Sequence, residues 1–259
     1  MESLTVTDPA QITAVLDDER FTVVPPRSDE TGGMAWVRRT VGRFTEGEAH
    51  RRRRAMAVAE IGALDPASLR EEARKTTRTL LDGGAGLDRL ADEVPVRVLA
   101  TALGVTDVDA FAAAVPVVAA GYLTGSAPSA EVDAAVATLV SLLGPGDDEE
   151  VAARVSLPLQ AHAATAKIIR SAVSSLPGAR DAADALTRAF RHDPPVPALR
   201  RVTREETPFG DRVLPPGTPV VLDVSGGPEF AFGAGRRPCP GEAQAMAIAT
   251  GVVEEVAAR

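Results

Sequence analysis

The chain has 259 residues, a formal net charge of −8 and 45% apolar residues, a composition that excludes disordered and collagen-like chains and predicts a globular protein. No run of about 18 apolar residues and no basic segment followed by an apolar one is present, so neither a membrane span nor a secretory signal is expected. The acidic charge disfavours nucleic acid as a partner, and a single cysteine excludes an internal disulfide. We therefore expect one cytoplasmic domain over residues 1–259.

Amphipathic helices dominate the first half of the sequence. An extended segment at residues 4–7 precedes a helix that Asp8 caps and Pro9 begins, and the pattern predicts that this helix continues to Phe21. The Pro, Gly and Ser of residues 23–33 predict a loop. Further helices are predicted from apolar periodicity over residues 47–61, 66–82, 87–105, 108–125 and 131–144.

The second half begins with a long apolar segment, residues 151–176, which predicts a central buried helix with a kink at Pro158. From residue 194 the sequence is rich in Pro and Gly and contains short β-prone runs, so loops and small hairpins are expected. A final helix is predicted to begin just after Cys239.

The single cysteine lies in a glycine-rich segment, residues 232–241, which we name the cysteine loop. A thiolate that precedes a helix is stabilised by the unpaired N–H groups and the dipole of that helix, and Arg236 and Arg237 would favour the thiolate further. The glycines would let the backbone lie against a large planar cofactor. These features suit an axial thiolate on haem iron, whereas a lone cysteine is more often a buried packing residue.

The cysteine loop resembles the cysteine-ligand signature of the cytochrome P-450 superfamily, F-G-x-G-x-[RH]-x-C-x-G. The fixed positions of the signature are matched by Phe232, Gly233, Gly235, Arg237, Cys239 and Gly241. The resemblance implies that Cys239 ligates the iron of haem b and that the other matched residues shape the cofactor site. It also implies a mainly α, cytochrome P-450-like fold with small β-hairpins.

Two other segments are similar to parts of the same family. Residues 47–54 resemble its C helix, in which a His-x-x-x-Arg pair holds a haem propionate, and His50 and Arg54 match that pair. Arg201 matches an arginine that binds a propionate after the K helix, and Arg237 matches the cation of the cysteine loop. Two propionates facing four cations are favourable electrostatics in a partly buried site. Three neighbouring cations are expected to be solvated surface charges: Arg51, Arg52 and Arg53.

The chain is shorter than family members typically are. The N-terminal strand and A helix are nearly absent, the middle that supplies the F and G helices is compressed, and the meander before the cysteine loop is missing. The family's K helix carries E-x-x-R, but the matching positions are Arg188, Ala189, Phe190 and Arg191. Because arginine replaces the glutamate, the usual internal ion-pair network cannot form.

The central helix also departs from the family pattern. Alignment of residues 157–166 with L-L-x-A-G-x-E-T-T-A places Ala163 at the acid and Ala164 at the alcohol of the catalytic pair that supplies protons for dioxygen activation. Gln160 shares the face of Ala164, and two roles are open for it: a hydrogen bond to a substrate or ligand, or one to the helix backbone. His162 is expected to pack on another face, unless a shifted register brings it to the iron.

The sequence favours a haem-thiolate enzyme that tailors a small molecule, as in a bacterial biosynthetic pathway, without the usual acid-alcohol route. Peroxide-driven oxidation, rearrangement, dehydration and bond formation are all open. The compressed middle favours a bulky or carrier-bound substrate, or a partner enzyme that closes the pocket; a redox partner is needed only if the reaction consumes electrons. The alternative is a non-catalytic helper subunit, which the lost acid, alcohol and glutamate favour and the intact cysteine loop disfavours.

Overall fold

The structure is a computed structural model that describes residues 3–26, 32–122 and 129–259. The chain divides into two compact units. Unit 1 consists of Met1–Pro25 and Phe190–Cys239, and unit 2 consists of Pro26–Ala189 and Pro240–Arg259. The boundary falls inside the cysteine loop, directly after Cys239, and the single domain expected from the sequence stays a prediction.

Unit 1 contains a four-stranded sheet and a separate hairpin. The strands are β1 (Leu4–Val6), β2 (Phe21–Thr22), β3 (Ala198–Thr203), β4 (Thr207–Phe209), β5 (Arg212–Leu214) and β6 (Pro219–Asp223). The order in the sheet is β1-β6-β3-β2, with β1 parallel to β6 and the other pairs antiparallel, whereas β4 and β5 pair with each other. The expected hairpin is confirmed, but β3 and β6 pair with strands from the start of the chain, and such pairing has no local signal in the sequence.

Helix α1 (Pro9–Asp17) begins as predicted. The Asp8 carboxylate accepts a hydrogen bond from the Gln11 amide at 2.9 Å, and Pro9 lies in the first turn, where its missing N–H leaves no bond unmade. The apolar residues of the inner face belong to the core of unit 1: Ile12, Val15 and Leu16.

The expectation that this helix continues to Phe21 is wrong. Asp18 is extended, and its carboxylate accepts hydrogen bonds from the backbone N–H of Arg20 at 2.9 Å and from its guanidinium at 2.7 Å. An aspartate that binds the backbone two residues on stabilises a turn in place of another helical turn. Phe21 then lies in β2 opposite Thr203 of β3, a partner far away in the sequence.

Unit 2 is built from helices, and most of them were predicted. In chain order the remaining helices are α2 (Gly32–Thr40), α3 (Gly47–Gly62), α4 (Pro66–Asp82), α5 (Leu87–Ala102), α6 (Val108–Tyr122), α7 (Ala130–Leu142), α8 (Asp148–Ser175), α9 (Ala182–His192) and α10 (Glu242–Ala257). Helix α9 ends in unit 1. Residues 123–125 of one predicted helix lie outside the described residues.

Helix α2 replaces part of an expected loop. Residues 23–26 have no regular structure, residues 27–31 lie outside the described part, and Gly32 already begins α2. The Gly33 amide donates a hydrogen bond to the carboxylate of Asp133 in α7 at 2.7 Å, so that side chain caps the first turn of α2. A cap from a distant residue gives no local signal, which explains why the sequence pattern missed this helix.

Helix α8 is buried in its first half. Residues 151–159 are buried apart from Arg154. Val151, Ala152, Val155 and Leu159 share a core with α2, α5, α6 and α7. Gln160 and Ala163 are exposed and Ala164 is half-buried, but Ala166, Ile168, Ile169 and Ala172 further along α8 are buried again, so the expected burial is interrupted only in the middle of the helix. Pro158 lies inside the helix, and a kink there stays a prediction.

Helix α10, which follows the cysteine loop, packs along α4. Gly251 is required at this contact because a Cβ there would overlap the carbonyl oxygen of Arg70. Arg70 also binds Glu254 of α10, with its Nε 2.9 Å from the carboxylate, and Arg78 binds Glu255 at 2.9 Å. The position of α10 in unit 2 is therefore fixed by close backbone packing and by two ion pairs.

Candidate functional site

The cysteine loop makes a tight turn that leaves Cys239 exposed. Gly233 and Gly235 have φ values of +71° and +65°, in the left-handed region that residues with a Cβ rarely adopt. The Cys239 amide donates a hydrogen bond to the Phe232 carbonyl at 2.7 Å, and the Gly233 amide donates one to the Phe230 carbonyl at 2.8 Å. The exposure of Cys239 argues against its interpretation as a buried packing residue.

The cysteine loop contacts the end of α1 within unit 1. A Cβ on Gly235 would lie 2.7 Å from Oδ1 of Asp17 and 2.8 Å from the carbonyl oxygen of Leu16. The Arg236 amide donates a hydrogen bond to the same Leu16 carbonyl at 3.4 Å. Glycine at position 235 is therefore required by its φ value and also by this close approach.

Two predicted propionate-binding cations, Arg201 and Arg237, belong to unit 1 with Cys239. Both are half-buried. Arg201 lies in β3 opposite Val220 of β6, and its Nη1 donates a hydrogen bond to the carbonyl of Arg200 at 2.9 Å. The predicted residue Phe232 stacks at a tilt on Phe190, with ring centroids 5.4 Å apart.

The other predicted propionate-binding pair, His50 and Arg54, lies in unit 2. The two side chains are one turn apart on α3, and both are half-buried. The end of α3 contacts the first turn of α10, because Nε2 of Gln244 donates hydrogen bonds to the carbonyls of Ile61 at 3.0 Å and Leu64 at 3.3 Å. The helix that carries the pair is thus connected to the helix that follows the cysteine loop.

One of the arginines between His50 and Arg54 differs from the expectation of solvated charges. Arg51 is exposed, as expected. Arg52 and Arg53 both bind the Glu149 carboxylate, in the first turn of α8, at 2.7 and 2.9 Å. Hydrogen bonds from these two guanidinium groups lower the pKa of Glu149 to about 2. The expectation is wrong for Arg53, whose side chain is only 17% exposed, because α3 packs against α8, a neighbour that the local sequence does not reveal. Arg52 is exposed at the surface as expected, although it pairs with Glu149.

The candidate residues of the central helix, which is α8, are also in unit 2. Nε2 of Gln160 donates a hydrogen bond to the carbonyl of Ser156 at 3.3 Å, which is the helix-backbone role of the two left open. Ala163 and Ala164 present methyl groups where the family pattern has an acid and an alcohol. His162 is half-buried, and burial lowers its pKa, which favours the neutral imidazole of a packing residue.

Arg188, at the position of the family's glutamate, lies in α9. Its Nε is 3.2 Å from the Asp184 carboxylate, one turn earlier in the same helix. The Asp184 carboxylate also accepts a hydrogen bond from the Arg180 backbone N–H. This bond, together with the guanidinium groups of Arg188 and Arg180, lowers the pKa of Asp184. Arg188 is therefore paired within its own helix.

The described residues contain neither a cluster of metal-binding side chains nor a helix suited to cross a membrane. Within that part of the chain, no three His, Cys, Asp or Glu side chains are grouped as a metal site would require. No helix in residues 3–26, 32–122 and 129–259 is both long and apolar enough to cross a membrane.

Three contacts near the candidate residues were missed by sequence reasoning. They join Glu149 to Arg52, Gln244 to Ile61, and Arg236 to Asp18, over separations of 97, 183 and 218 residues. No local pattern encodes such pairs. The sequence offered one indication that Arg236 and Gln244 matter: Arg236 lies in the cysteine loop and Gln244 lies shortly after it.

Comparison with solved structures identifies the fold as that of cytochromes P-450. A thermophilic cytochrome P-450 from Sulfolobus tokodaii matches with a TM-score of 0.76 and 17% identity, over 99% of this chain and 87% of that one. CalO2 matches with a TM-score of 0.77 and 19% identity, over 98% and 81%. P450BioI, in complex with acyl carrier protein ligated to hexadec-9Z-enoic acid, matches with a TM-score of 0.72 and 17% identity, over 96% and 83%.

No protein-family model matches the chain, and no curated protein matches its sequence. At these low identities the structural likeness shows the fold alone. The mainly α, cytochrome P-450-like fold predicted from the cysteine loop is thereby confirmed.

Proposed function

We propose that the chain is a haem-thiolate enzyme that acts on a small-molecule or carrier-bound substrate, with Cys239 as the iron ligand. The observation that carries this proposal is the exposed Cys239 in a loop turned by two left-handed glycines. An exposed cysteine adds nothing to a hydrophobic core, so the packing of unit 1 does not account for its presence. Ligation of iron does account for it.

The described residues fit haem b in their chemistry. Gly241 has a φ of −105°, and a Cβ on it would meet only ordinary contacts, with Ile61 at 3.6 Å. Protein packing therefore does not require glycine at this position, whereas close approach of a planar cofactor would. The two propionates of haem b are anions that suit half-buried cations. The residues proposed to hold them are His50, Arg54, Arg201 and Arg237.

Haem iron ligated by a thiolate supplies oxidative and Lewis-acid chemistry on bound small molecules. The residues of α8 limit which reactions this chain supports. Ala163 and Ala164 have no proton to donate, and the Gln160 amide is held by the Ser156 carbonyl, so α8 lacks a general acid at these positions. We therefore favour reactions that do not depend on that acid: peroxide-driven oxidation, rearrangement, dehydration or bond formation. A redox partner belongs to the proposal only for a reaction that consumes electrons.

The substrate class is proposed from the exposed part of α8 and from one structural neighbour. Gln160 and Ala163 are exposed, which suits a bulky substrate. P450BioI is in complex with an acyl carrier protein, so a carrier-bound substrate is compatible with this fold. We propose that the reaction is a tailoring step of a bacterial biosynthetic pathway and that it takes place in the cytoplasm.

A second candidate function is a non-catalytic helper subunit of a partner enzyme. The specific observation in its favour is the combined loss of three functional side chains, at Ala163, Ala164 and Arg188, the last of which is paired with Asp184 inside α9. A helper would tolerate those losses. It would not need an exposed cysteine in a conformationally demanding loop, and for that reason the enzyme is favoured.

Haem titration of the purified chain tests the proposal. We expect one haem b per chain, with Arg54→Ala and Arg201→Ala each weakening haem binding about tenfold through loss of a charge-assisted hydrogen bond. Arg51→Ala is the matched control, because Arg51 is exposed and is not assigned to a propionate. Equal affinities for all four proteins would contradict the assignment.

Enzyme and helper are separated by a second experiment on the haem-loaded chain. Small molecules and acyl carrier protein thioesters are screened for substrate-induced spectral shifts and then for conversion with hydrogen peroxide. Conversion that is lost in Cys239→Ser supports the enzyme. The helper is supported by a different result. The loaded chain would then convert none of the ligands that shift its spectrum, and the wild-type chain and Cys239→Ser would raise the activity of a co-purified enzyme equally.

A further inference from the structure

We infer that Arg236 is a positioning residue for Cys239: its guanidinium holds the cysteine loop against the turn that follows α1, residues 18–21, and so sets the place of the sulfur. This inference rests on the proposed function, because Cys239 has a ligand's role only there. Position 236 is one of the variable positions of the cysteine-ligand signature, so the resemblance assigns it no role.

The contact is made by one guanidinium nitrogen. Nη2 of Arg236 donates hydrogen bonds to the carbonyl of Asp18 at 3.2 Å and to the carbonyl of Phe21 at 3.4 Å. The Arg236 amide adds the bond to Leu16. Carbonyl groups at the end of a helix lack intrahelical partners and favour a nearby cation. Arg236 is thus bound by both its backbone and its side chain to the end of α1 and the turn after it.

The turn is itself braced, so it can serve as a fixed point. The Asp18 carboxylate accepts hydrogen bonds from Nε and Nη2 of Arg20, and the Phe21 amide donates one to the Asp18 carbonyl at 3.2 Å. The carbonyl of Arg20 accepts a hydrogen bond from the Arg204 amide at 2.8 Å, next to β3. Arg20 and, more weakly, Arg236 lower the pKa of Asp18, so both arginines stabilise the charged carboxylate.

The backbone between Arg236 and Cys239 is so short that a displacement of Arg236 would also displace Cys239. Only Arg237 and Pro238 lie between them, and proline fixes its own φ. On the other side of Arg236, Gly235 is packed against the Leu16 carbonyl. A shift of the Arg236 backbone would therefore be passed to Cys239 and to its hydrogen bond with Phe232.

Two roles for Arg236 make different predictions. If its charge alone favours the thiolate, then loosening the turn while keeping Arg236 changes nothing in the loop. If Arg236 positions the loop, then Asp18→Ala, which removes the brace of the turn, acts in the same direction as Arg236→Met. The double variant would then differ little from the worse single variant, because both changes break one connection.

The first test needs no haem. Amide hydrogen exchange of Cys239 is followed by NMR in the full chain and in Arg236→Met, Arg236→Lys, Asp18→Ala and the double variant. We expect Arg236→Met to raise the exchange rate of the Cys239 amide about tenfold or more, Asp18→Ala to raise it less, and Arg236→Lys to restore part of the protection. Arg212→Met, at an exposed arginine of β5 in the same unit, is the matched control and should change nothing.

The second test uses the haem-loaded chain and the spectrum of its reduced carbonyl complex. We expect Arg236→Met to lower the fraction with the red-shifted band of thiolate ligation, and Arg236→Lys to regain part of it. Unchanged exchange at Cys239 in Arg236→Met overturns the inference whether or not haem binds. If the exchange results are as expected but the wild-type chain takes up no haem, the proposed function fails, and with it the role of Arg236 toward a ligand.

Should Arg236→Met fail to fold, Arg236→Lys and Asp18→Ala decide the question alone. Faster exchange at Cys239 in both, with unchanged exchange in β3 and β6, supports the positioning role. Faster exchange in Arg236→Lys but none in Asp18→Ala overturns it in favour of a role confined to the loop.

Discussion

The cysteine loop and helix α8 differ in which chemical groups they retain. In the loop every fixed position of the cysteine-ligand signature is filled, and the glycines at 233 and 235 have the backbone conformations that only glycine adopts readily. In α8, methyl groups stand where an acid and an alcohol are expected. Under the proposed function, this chain keeps the residues for a thiolate ligand and lacks the acid and alcohol that usually supply protons.

This contrast indicates where the constraints on the chain lie. The loop is constrained by its own packing, since Gly235 has no room for a Cβ beside α1. The distal face of α8 has no such constraint, because Gln160 and Ala163 are exposed. Substitutions should therefore have large effects in the cysteine loop and small effects on the face of α8 that carries Gln160 and Ala163. Four predictions sharpen this difference, from the largest expected effect to the smallest.

The largest effect is expected from Gly235→Ala. A left-handed φ costs a residue with a Cβ about 1–2 kcal/mol, and overlap with Leu16 and Asp17 adds about 1–3 kcal/mol. We expect a loss of about 3 kcal/mol in the free energy of unfolding, measured with urea. Gly210→Ala is the control, because Gly210 has a φ of +58° and nothing within 4 Å of the added Cβ; it should cost about 1 kcal/mol. Equal costs would show that the contact with α1 is unimportant.

The next effect concerns the lost catalytic pair. The double variant Ala163→Glu, Ala164→Thr returns an acid and a hydroxyl to α8, and a positioned proton donor contributes at least about a hundredfold where it is fully effective. With a substrate found in the peroxide screen, we expect product formation driven by a surrogate redox partner to rise about tenfold. Ala163→Gln, Ala164→Val has nearly the same shape without an acidic proton and should leave the rate unchanged. A similar rise in that control would assign the effect to shape.

A smaller effect is expected from the ion pairs at the start of α8. Because its pKa is lowered from 4.5 to about 2, Glu149 contributes stability that is fully present above pH 4.5 and is lost as the pH falls toward 2. Glu149→Gln should cost about 1 kcal/mol at neutral pH and should flatten the pH dependence of unfolding in that window. Asp148→Asn, at the exposed neighbouring position, should do neither. An unchanged pH profile in Glu149→Gln would contradict the pairing with Arg52 and Arg53.

The smallest effect is expected from Gln160→Ala. The Gln160 side chain is bound to the Ser156 carbonyl and is exposed, so its removal should change the free energy of unfolding by less than about 0.5 kcal/mol. Substrate-induced spectral shifts should occur at concentrations within about twofold of those for the wild-type chain. A tenfold loss of substrate affinity would instead assign Gln160 to the substrate, the role that its backbone contact argues against.

Local sequence signals predicted the helices and the cysteine loop well, because their causes are local. Asp8 caps α1 as expected, α4 begins at the predicted residue 66 with Asp65 as its cap, and apolar periodicity located the helices from α3 to α8. The loop was recognised from residue types whose spacing is fixed by ligand chemistry. These features depend on neighbours within a few residues along the chain.

Three errors involve partners that are distant in sequence. Phe21 lies in β2 because it pairs with Thr203, although α1 has already ended at the local turn of Asp18 and Arg20, and α2 exists with its cap on Asp133. Arg53 is paired because α8 presents Glu149. In each case a tertiary contact outweighed a local tendency, and a single sequence contains no pattern that specifies such a contact.

The central claim, that Cys239 ligates haem iron, is tested most directly by the optical spectrum of the haem-reconstituted chain before and after reduction under carbon monoxide. We predict a Soret band shifted to the red, as a thiolate-ligated carbonyl complex gives, and loss of that shift in Cys239→Ser. A wild-type spectrum without the shift, or the same shift in Cys239→Ser, would contradict the account.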